Sequence, residues 1–224
     1  MKLIGHVGAM ASLREAVEEY SPVEGATQTQ IIETVRAAYG FQSFPQLGVE
    51  PVYIPQLLFV NGRYAKDDKS FAITHLVMEP IGDTVQTQTT DQAETFIEDL
   101  TATLDEKLGF RFATSSKRLS FVSNLVVEFA SPLEDYLSVL KRVTDLVADT
   151  LPDRRPFSVK RLAMGAPTLA TAVTQVETVE SSDFIIERRA GATFDQNRYF
   201  SSAPMRTAEH LKLLEQIEGV LLDQ

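Results

Sequence analysis

The chain has 224 residues, of which 44% are hydrophobic, and it contains no cysteine. The lack of cysteine excludes disulfides, thiolate metal sites and cysteine nucleophiles, and no apolar run reaches the roughly 20 residues of a membrane-spanning helix. The net charge of −10, with 12 basic and 21 acidic side chains in residues 1–150, disfavours binding to nucleic acid or to anionic membranes. We expect a soluble, cytoplasmic protein.

The N-terminal quarter of the chain predicts a helical arm. Residues 12–15 have the form of a capping box and predict a short helix. A second helix is predicted at residues 29–39, where apolar residues share one face and a glycine follows directly as a stop signal. Prolines and a glycine in residues 41–55 predict an irregular linker. We therefore predict an arm with its linker at residues 1–51 and an α+β body at residues 52–224.

The body opens with a predicted β-meander. Residues 57–60 are apolar, and Asn61-Gly62 is typical of a type I′ turn between two strands. Further strands are predicted at residues 71–78 and 84–89, with turn residues between them. These strands would form one part of the sheet.

Helices and strands then alternate. A helix is predicted at residues 93–108, bounded by a capping signal and a glycine, and residues 119–129 show the clearest alternation of a strand. Ser131 and Pro132 are a good start for the next helix. The apolar stripe of that helix comprises Leu133, Leu137, Leu140, Val143, Val147 and Leu151.

Short strands dominate the last third of the chain. They are predicted at residues 157–164, 170–179 and 184–189, with residues 197–201 as a hairpin partner of the last of these. The final helix begins near Thr207. This order predicts an α+β fold: a mixed or mainly antiparallel sheet with helices packed on one face, preceded by the helical N-terminal arm.

Reactive motifs are scarce in this sequence. His75 lies within an apolar strand, where it is a candidate acid or base, or a buried hydrogen-bonded core residue. His210, near the start of the last helix, is expected to be a surface or packing residue. The sequence lacks a P-loop, a Rossmann glycine motif, a nucleophile elbow and a paired-histidine metal motif. It therefore predicts no catalytic residue, no metal site and no cofactor.

The segment from residue 187 to residue 206 is the most unusual, because it is rich in arginine, tyrosine and asparagine. Such residues are enriched at protein interfaces, and arginines beside a helix N-terminus can also bind an anion. An edge hairpin whose arginines pair with surface acids is the third interpretation. The candidate interface or anion-binding residues are Arg188, Arg189, Asn197, Arg198, Tyr199 and Arg206.

Two functions from different classes follow from these observations. The first is a non-enzymatic interaction or assembly subunit, which self-associates as a homo-oligomer or docks a protein partner through the arm or the arginine-tyrosine segment. The alternative is an enzyme or sensor that binds a small anionic ligand through Arg188, Arg189 and Arg198, with His75 as acid or base. A pocket that holds His75 and two of these arginines would favour the alternative.

Overall fold

A computed structural model of the chain describes residues 1–14, 26–46, 56–66, 68–80, 82–110, 118–133, 138–150, 160–165, 183–193 and 196–222, with residues 138–140 and 221 described by their backbone alone. The described part is α+β. Its elements in chain order are β1 (Lys2–Arg14), α1 (Gln28–Tyr39), β2 (Leu57–Lys66), β3 (Lys69–Glu79), β4 (Gly82–Thr87), α2 (Thr90–Leu108), β5 (Arg118–Glu128), α3 (Ser138–Thr150), β6 (Arg161–Met164), β7 (Phe184–Arg188), β8 (Arg198–Ala203) and α4 (Thr207–Leu222).

The chain begins with a strand, so the prediction of a helical N-terminal arm is wrong. β1 runs antiparallel beside β4, and Ala9, Ala11 and Leu13 are buried at the period of two that defines a strand. Ser12, read from the sequence as a helix cap, instead shares a hydrogen bond of 3.0 Å with the hydroxyl of Thr84 on β4. The rest of the predicted first helix, residues 15–20, lies outside the described residues.

The second helix of the predicted arm is confirmed as α1. The Thr27 hydroxyl accepts a hydrogen bond from the backbone N–H of Gln30, whose side chain accepts one from the backbone N–H of Thr27 at 2.8 Å. This reciprocal capping box fixes the start of the helix. Gly40, with φ of 60°, ends it in the left-handed conformation that glycine tolerates best. Of the predicted linker, residues 47–55 lie outside the described residues.

Residues Gly8–Val122 form the first of two structural units. Its strands follow the hydrogen-bonded order β2-β3-β4-β1, and all of the register pairs are antiparallel. Val35 of α1, Phe96 and Leu100 of α2, and Phe59 and Leu76 of the sheet are buried in one hydrophobic core. The helix predicted at residues 93–108 is confirmed as α2, whose buried residues recur at helical spacing.

The predicted turn at Asn61-Gly62 is wrong, because both residues lie inside β2. Asn61 has φ of 55°, and the buried positions of β2 shift there from odd to even residue numbers. Gly62 is buried against the ring of Phe41. The chain reverses between Lys66 and Lys69, which pair with each other.

A hydrogen-bonded cluster ties α1 to α2 in the first unit. The Tyr39 hydroxyl donates to Asp99 Oδ2 at 3.0 Å and lies 3.3 Å from the Thr103 hydroxyl. Lys66 Nζ donates to the other carboxylate oxygen of Asp99 at 2.7 Å. Burial, the largest cause, and the negative charge of Asp99 raise the pKa of Tyr39, against the hydrogen bond to Thr103. Tyr39 therefore stays protonated and acts as a donor.

Residues Met1–Val7 and Ser123–Gln224 form the second unit. Its strands follow the order β5-β8-β7-β6, again with antiparallel register, so β7 and β8 are confirmed as a hairpin. α4, predicted to begin near Thr207, contributes Leu214 to a core that contains Tyr199 and Phe129. The buried Glu218 of α4 accepts a hydrogen bond from the backbone N–H of Ala130 at 2.8 Å and pairs with the amino group of Met1.

The prediction that the helices pack on one face of the sheet is wrong for α3. Eight of its residues from Lys141 to Thr150 are exposed, and only Thr144 and Ala148 are half-buried. β6 falls within the strand predicted at residues 157–164, whereas the strand predicted at residues 170–179 lies outside the described residues. No helix in the described part of the chain is long and apolar enough to cross a membrane.

Candidate functional site

The predicted arginine-tyrosine group lies on and beside the β7–β8 hairpin of the second unit. Arg188, the last residue of β7, pairs with Tyr199 of β8, and its guanidinium carbon lies 5.2 Å from the centre of the tyrosine ring. Tyr199 is only 1% exposed. Its hydroxyl accepts a hydrogen bond from the backbone N–H of Leu133 at 3.1 Å. Tyr199 is thus a core residue whose ring contacts the guanidinium of Arg188.

The remaining residues of the group occupy different surroundings. Arg198 Nε donates to Glu128 Oε2 at 2.9 Å, so its charge is compensated by a carboxylate on the neighbouring strand. Asn197, with φ of 46°, directly precedes β8. Arg189 is exposed, and Arg206 is half-buried where α4 begins. The pairing of β7 with β8 therefore brings Arg188 to Tyr199, and the pairing of β5 with β8 brings Arg198 to Glu128.

His75, the candidate acid or base, belongs to the first unit. It is half-buried on β3, on the opposite strand face from the core residue Leu76. Its Nδ1 lies 3.0 Å from the amide oxygen of Gln86 on β4, which is its cross-strand partner. This hydrogen bond fits the structural interpretation of His75, in which the imidazole is hydrogen-bonded within the sheet.

A buried serine–histidine pair in the second unit was not anticipated from the sequence. Nε2 of His210, on α4, lies 2.9 Å from the hydroxyl of Ser201 on β8, and both residues are fully buried. The Ser201 hydroxyl donates its only hydrogen to the backbone carbonyl of Ile185 at 2.9 Å. Ser201 must therefore accept from His210, whose Nε2 carries the proton.

The protonation of this pair argues for a structural role. Burial lowers the pKa of His210 to about 4, against the opposing effect of a hydrogen bond to the backbone of Ser123. The imidazole is therefore neutral at physiological pH. A serine nucleophile needs a base that removes its proton, whereas His210 donates to Ser201. The pair fixes α4 to the sheet.

Potential metal ligands do not cluster in the described part of the chain. Among its residues, no three histidine, aspartate or glutamate side chains come close enough together to hold a metal ion. The titratable groups described above are instead engaged in pairwise contacts: Tyr39 with Asp99, His75 with Gln86, and His210 with Ser201. These contacts join elements of the fold.

Helix α3 presents an exposed apolar surface within the described part of the chain. Val143, Leu146 and Val147 are 51%, 68% and 38% exposed. At about 100° per residue, these three side chains fall within about 100° of one another around the helix axis. We call them the α3 stripe. The three large aliphatic side chains of the α3 stripe thus share one exposed face of the helix.

Four charged residues occupy the rest of the α3 surface: Lys141, Arg142, Asp145 and Asp149. Their charges sum to zero. Arg142 and Asp149 lie seven residues apart and therefore project from the same side of the helix, beside Leu146. Lys141 and Asp145 project farther from the stripe. The stripe thus has a flank with one positive and one negative residue.

The sequence was compared with models of known protein families and with curated proteins. No family model matches the chain, and no curated protein matches it. Functional inference therefore rests on the chemistry of the described residues.

Proposed function

We propose that the protein is a non-enzymatic assembly subunit that acts by self-association, with α3 as its contact helix. The observation that carries this proposal is the exposure of the α3 stripe, formed by Val143, Leu146 and Val147. Complete burial of a fully exposed side chain of this size contributes about 1.5–3 kcal/mol, and each residue of the α3 stripe, already partly buried, can contribute only part of that. A symmetric contact between two copies buries the stripe twice, so that each residue contributes twice.

The size of the contact sets the expected affinity. Association costs at least about 4 kcal/mol of lost translational and rotational freedom. A pair of α3 helices, each of 13 residues, would belong to the small interfaces that are typical of weak complexes. We therefore expect reversible self-association with a dissociation constant on the order of micromolar.

The charges around the stripe favour a protein surface over a lipid surface as its partner. Amphipathic helices that bind membranes carry lysine and arginine on their polar face. On α3, Lys141 and Arg142 are balanced by Asp145 and Asp149. A balanced polar face gains nothing from an anionic membrane, but it can complement a second copy of itself.

The anion-binding alternative is not part of this proposal, because no described contact favours it. Arg198 is already paired with Glu128, and the guanidinium of Arg188 lies near the ring of the buried Tyr199. The buried His210 donates to Ser201, so this pair supplies neither an accessible nucleophile nor a base.

Light scattering after size-exclusion chromatography tests the proposal. We expect the mass of the wild-type protein to rise above the 24.9 kDa of one chain as concentration increases from low micromolar to submillimolar. Leu146→Lys should stay at the mass of one chain. The matched control is Val220→Lys, because Val220 is 63% exposed on α4; it should behave like the wild type.

Each other outcome counts against the proposal. A wild-type protein that keeps the mass of one chain throughout would refute self-association. Equal behaviour of Leu146→Lys and the wild type would show that copies meet elsewhere, as would dissociation caused by Val220→Lys. Circular dichroism melts of the variants should match the wild type at concentrations below the expected dissociation constant, where association adds no stability, since both altered residues are exposed.

A further inference from the structure

The charges along the described part of α3 follow a simple order. The basic residues Lys141 and Arg142 come first, and the acidic residues Asp145 and Asp149 follow. Two copies that run in opposite directions would place the basic part of one helix beside the acidic part of the other.

Asp149 has no basic residue three or four positions before it on its own helix. Helical neighbours lie three or four residues apart, and the preceding neighbours of Asp149 are Leu146 and the like-charged Asp145. Arg142 is about 10.5 Å away along the axis, beyond the reach of a direct pair. A basic partner for Asp149 would have to come from outside α3.

The positions of the stripe and its flank define a short heptad. With Val143 at position a, Leu146 is at d and Val147 at e. Arg142 and Asp149 are then both at g, the flank that borders the contact seam. The two flanks of the stripe are consequently different: one is apolar and the other carries one charge of each sign.

We infer that two copies of the chain pair through α3 in antiparallel orientation, an inference that rests on the self-association proposed above. When two identical helices lie antiparallel about a twofold axis, each flank faces the same flank of the other copy. Arg142 then meets Asp149 of the second copy, and Asp149 meets Arg142. In the seam, Val143 packs against Leu146 of the second copy, and this contact is also formed twice.

A parallel pair would lack this complementarity. Opposite flanks meet in a parallel arrangement, where the g position faces e of the other helix. Arg142 would then lie beside Val147, and Asp149 would gain no basic partner. The antiparallel pair also sets the two helix dipoles head to tail. Charge order and flank chemistry thus select the same orientation.

Charge reversal tests this orientation. We expect Arg142→Asp and Asp149→Arg each to weaken self-association about tenfold, because each change places like charges opposite each other twice. The double variant regenerates both pairs and should return close to wild-type affinity. Lys141→Asp and Asp145→Arg are the matched controls, since they reverse charges away from the seam; they should change the dissociation constant less than about threefold.

Cysteine cross-linking tests the same arrangement by distance, because the chain has no cysteine of its own. A mixture of Arg142→Cys and Asp149→Cys proteins, one of them enlarged by a tag, should form the mixed disulfide under mild oxidation. Asp149→Cys alone should not link to itself, because the two copies of this residue would lie about 13 Å apart along the axis.

The outcomes separate the two proposals. Self-linked Asp149→Cys dimers, or single charge reversals that leave the affinity unchanged in a protein that does self-associate, would overturn the antiparallel orientation and leave self-association standing. A wild-type protein that is a monomer at submillimolar concentration would refute both.

Discussion

The imidazole of His210 donates to the hydroxyl of Ser201 across a distance of 2.9 Å, with both side chains fully buried. The hydroxyl of Ser201 in turn donates a hydrogen bond to the backbone carbonyl of Ile185 on β7. This chain of hydrogen bonds joins α4 to β8 and β7. Protonation of His210 would occur at Nδ1, which is buried, and the cost of burying that charge makes stability dependent on pH.

The unfolding free energy should therefore fall as the solution is acidified. Burial lowers the pKa of His210 from 6.5 to about 4, so the unfolded chain binds the proton first. The stabilisation is complete above pH 6.5 and is lost as the pH falls from 6.5 towards 4, by about 3 kcal/mol in total. Urea unfolding of the wild type and of His210→Gln, above pH 6.5 and near pH 4, measures this loss.

The variant should lack this part of the pH dependence, whereas His75→Gln should retain it because His75 is half-buried on β3. Carboxylates titrate in the same range in all three proteins and cancel in the comparison. Equal acid sensitivity of His210→Gln and the wild type would mean that His210 is protonated inside the fold.

The bond between Tyr39 and Asp99 gives a second prediction. Tyr39→Phe removes the hydroxyl that donates to Asp99 and contacts Thr103, and it should lower the unfolding free energy by about 1–2 kcal/mol. Thr103→Val is the control: it should cost less, since Tyr39 keeps its bond to Asp99. A Tyr39→Phe protein as stable as the wild type in urea would show that water replaces the hydroxyl at no cost.

A third prediction concerns the close approach of Gly62 to Phe41. A methyl group at residue 62 would lie 2.5 Å from the nearest ring atom of Phe41, which is far inside van der Waals contact. Gly62→Ala should destabilise the protein by about 1–3 kcal/mol. The cost should shrink when the change is made in a Phe41→Leu background, because the two positions are coupled through that ring. Additive costs in thermal melts would disprove the contact.

The β7–β8 hairpin gives a fourth prediction. Tyr199→Phe leaves the buried N–H of Leu133 without the hydroxyl that accepts its hydrogen bond, at a cost of about 1–3 kcal/mol. Arg198→Gln loses a partly exposed ion pair with Glu128 and should cost about 1 kcal/mol at most. The reverse ranking in chemical unfolding would show that the hairpin is held together mainly by its charges.

Local signals in the sequence were sufficient for several elements. α1 and α2 follow from capping residues, apolar periodicity and a glycine after each helix, all of which are short-range features. The hairpin of β7 and β8 follows from two short strand patterns joined by a turn. The caps, apolar periodicity and turn that define each of these elements all lie within a short stretch of sequence.

β1 could not be recognised in this way, because its partners are distant. It pairs with β4, some 75 residues further along the chain, and its buried face is made of small residues such as Ala9 and Ala11. Small side chains give a weak alternation signal. The capping pattern that begins at Ser12 therefore predicts a helix more strongly than the alternation predicts a strand. Similarly, Asn61-Gly62 has turn chemistry, but β2 continues through it.

The sequence predicts the apolar face of the candidate contact helix α3 but not the surface that this face contacts. The periodicity of Val143 and Val147 correctly indicates an apolar helix face. Periodicity alone does not tell whether that face covers the protein's own core or another surface. His210 could have been placed from its spacing of four residues before the buried Leu214.

Hydrogen exchange of the α3 backbone, followed by mass spectrometry at increasing protein concentration, tests the central claim most directly. If copies associate through the α3 stripe, the amides of Lys141 to Thr150 should exchange more slowly as concentration rises, while those of the already buried α2 should stay constant. Exchange in α3 that is equally fast at low micromolar and submillimolar concentration would contradict the account.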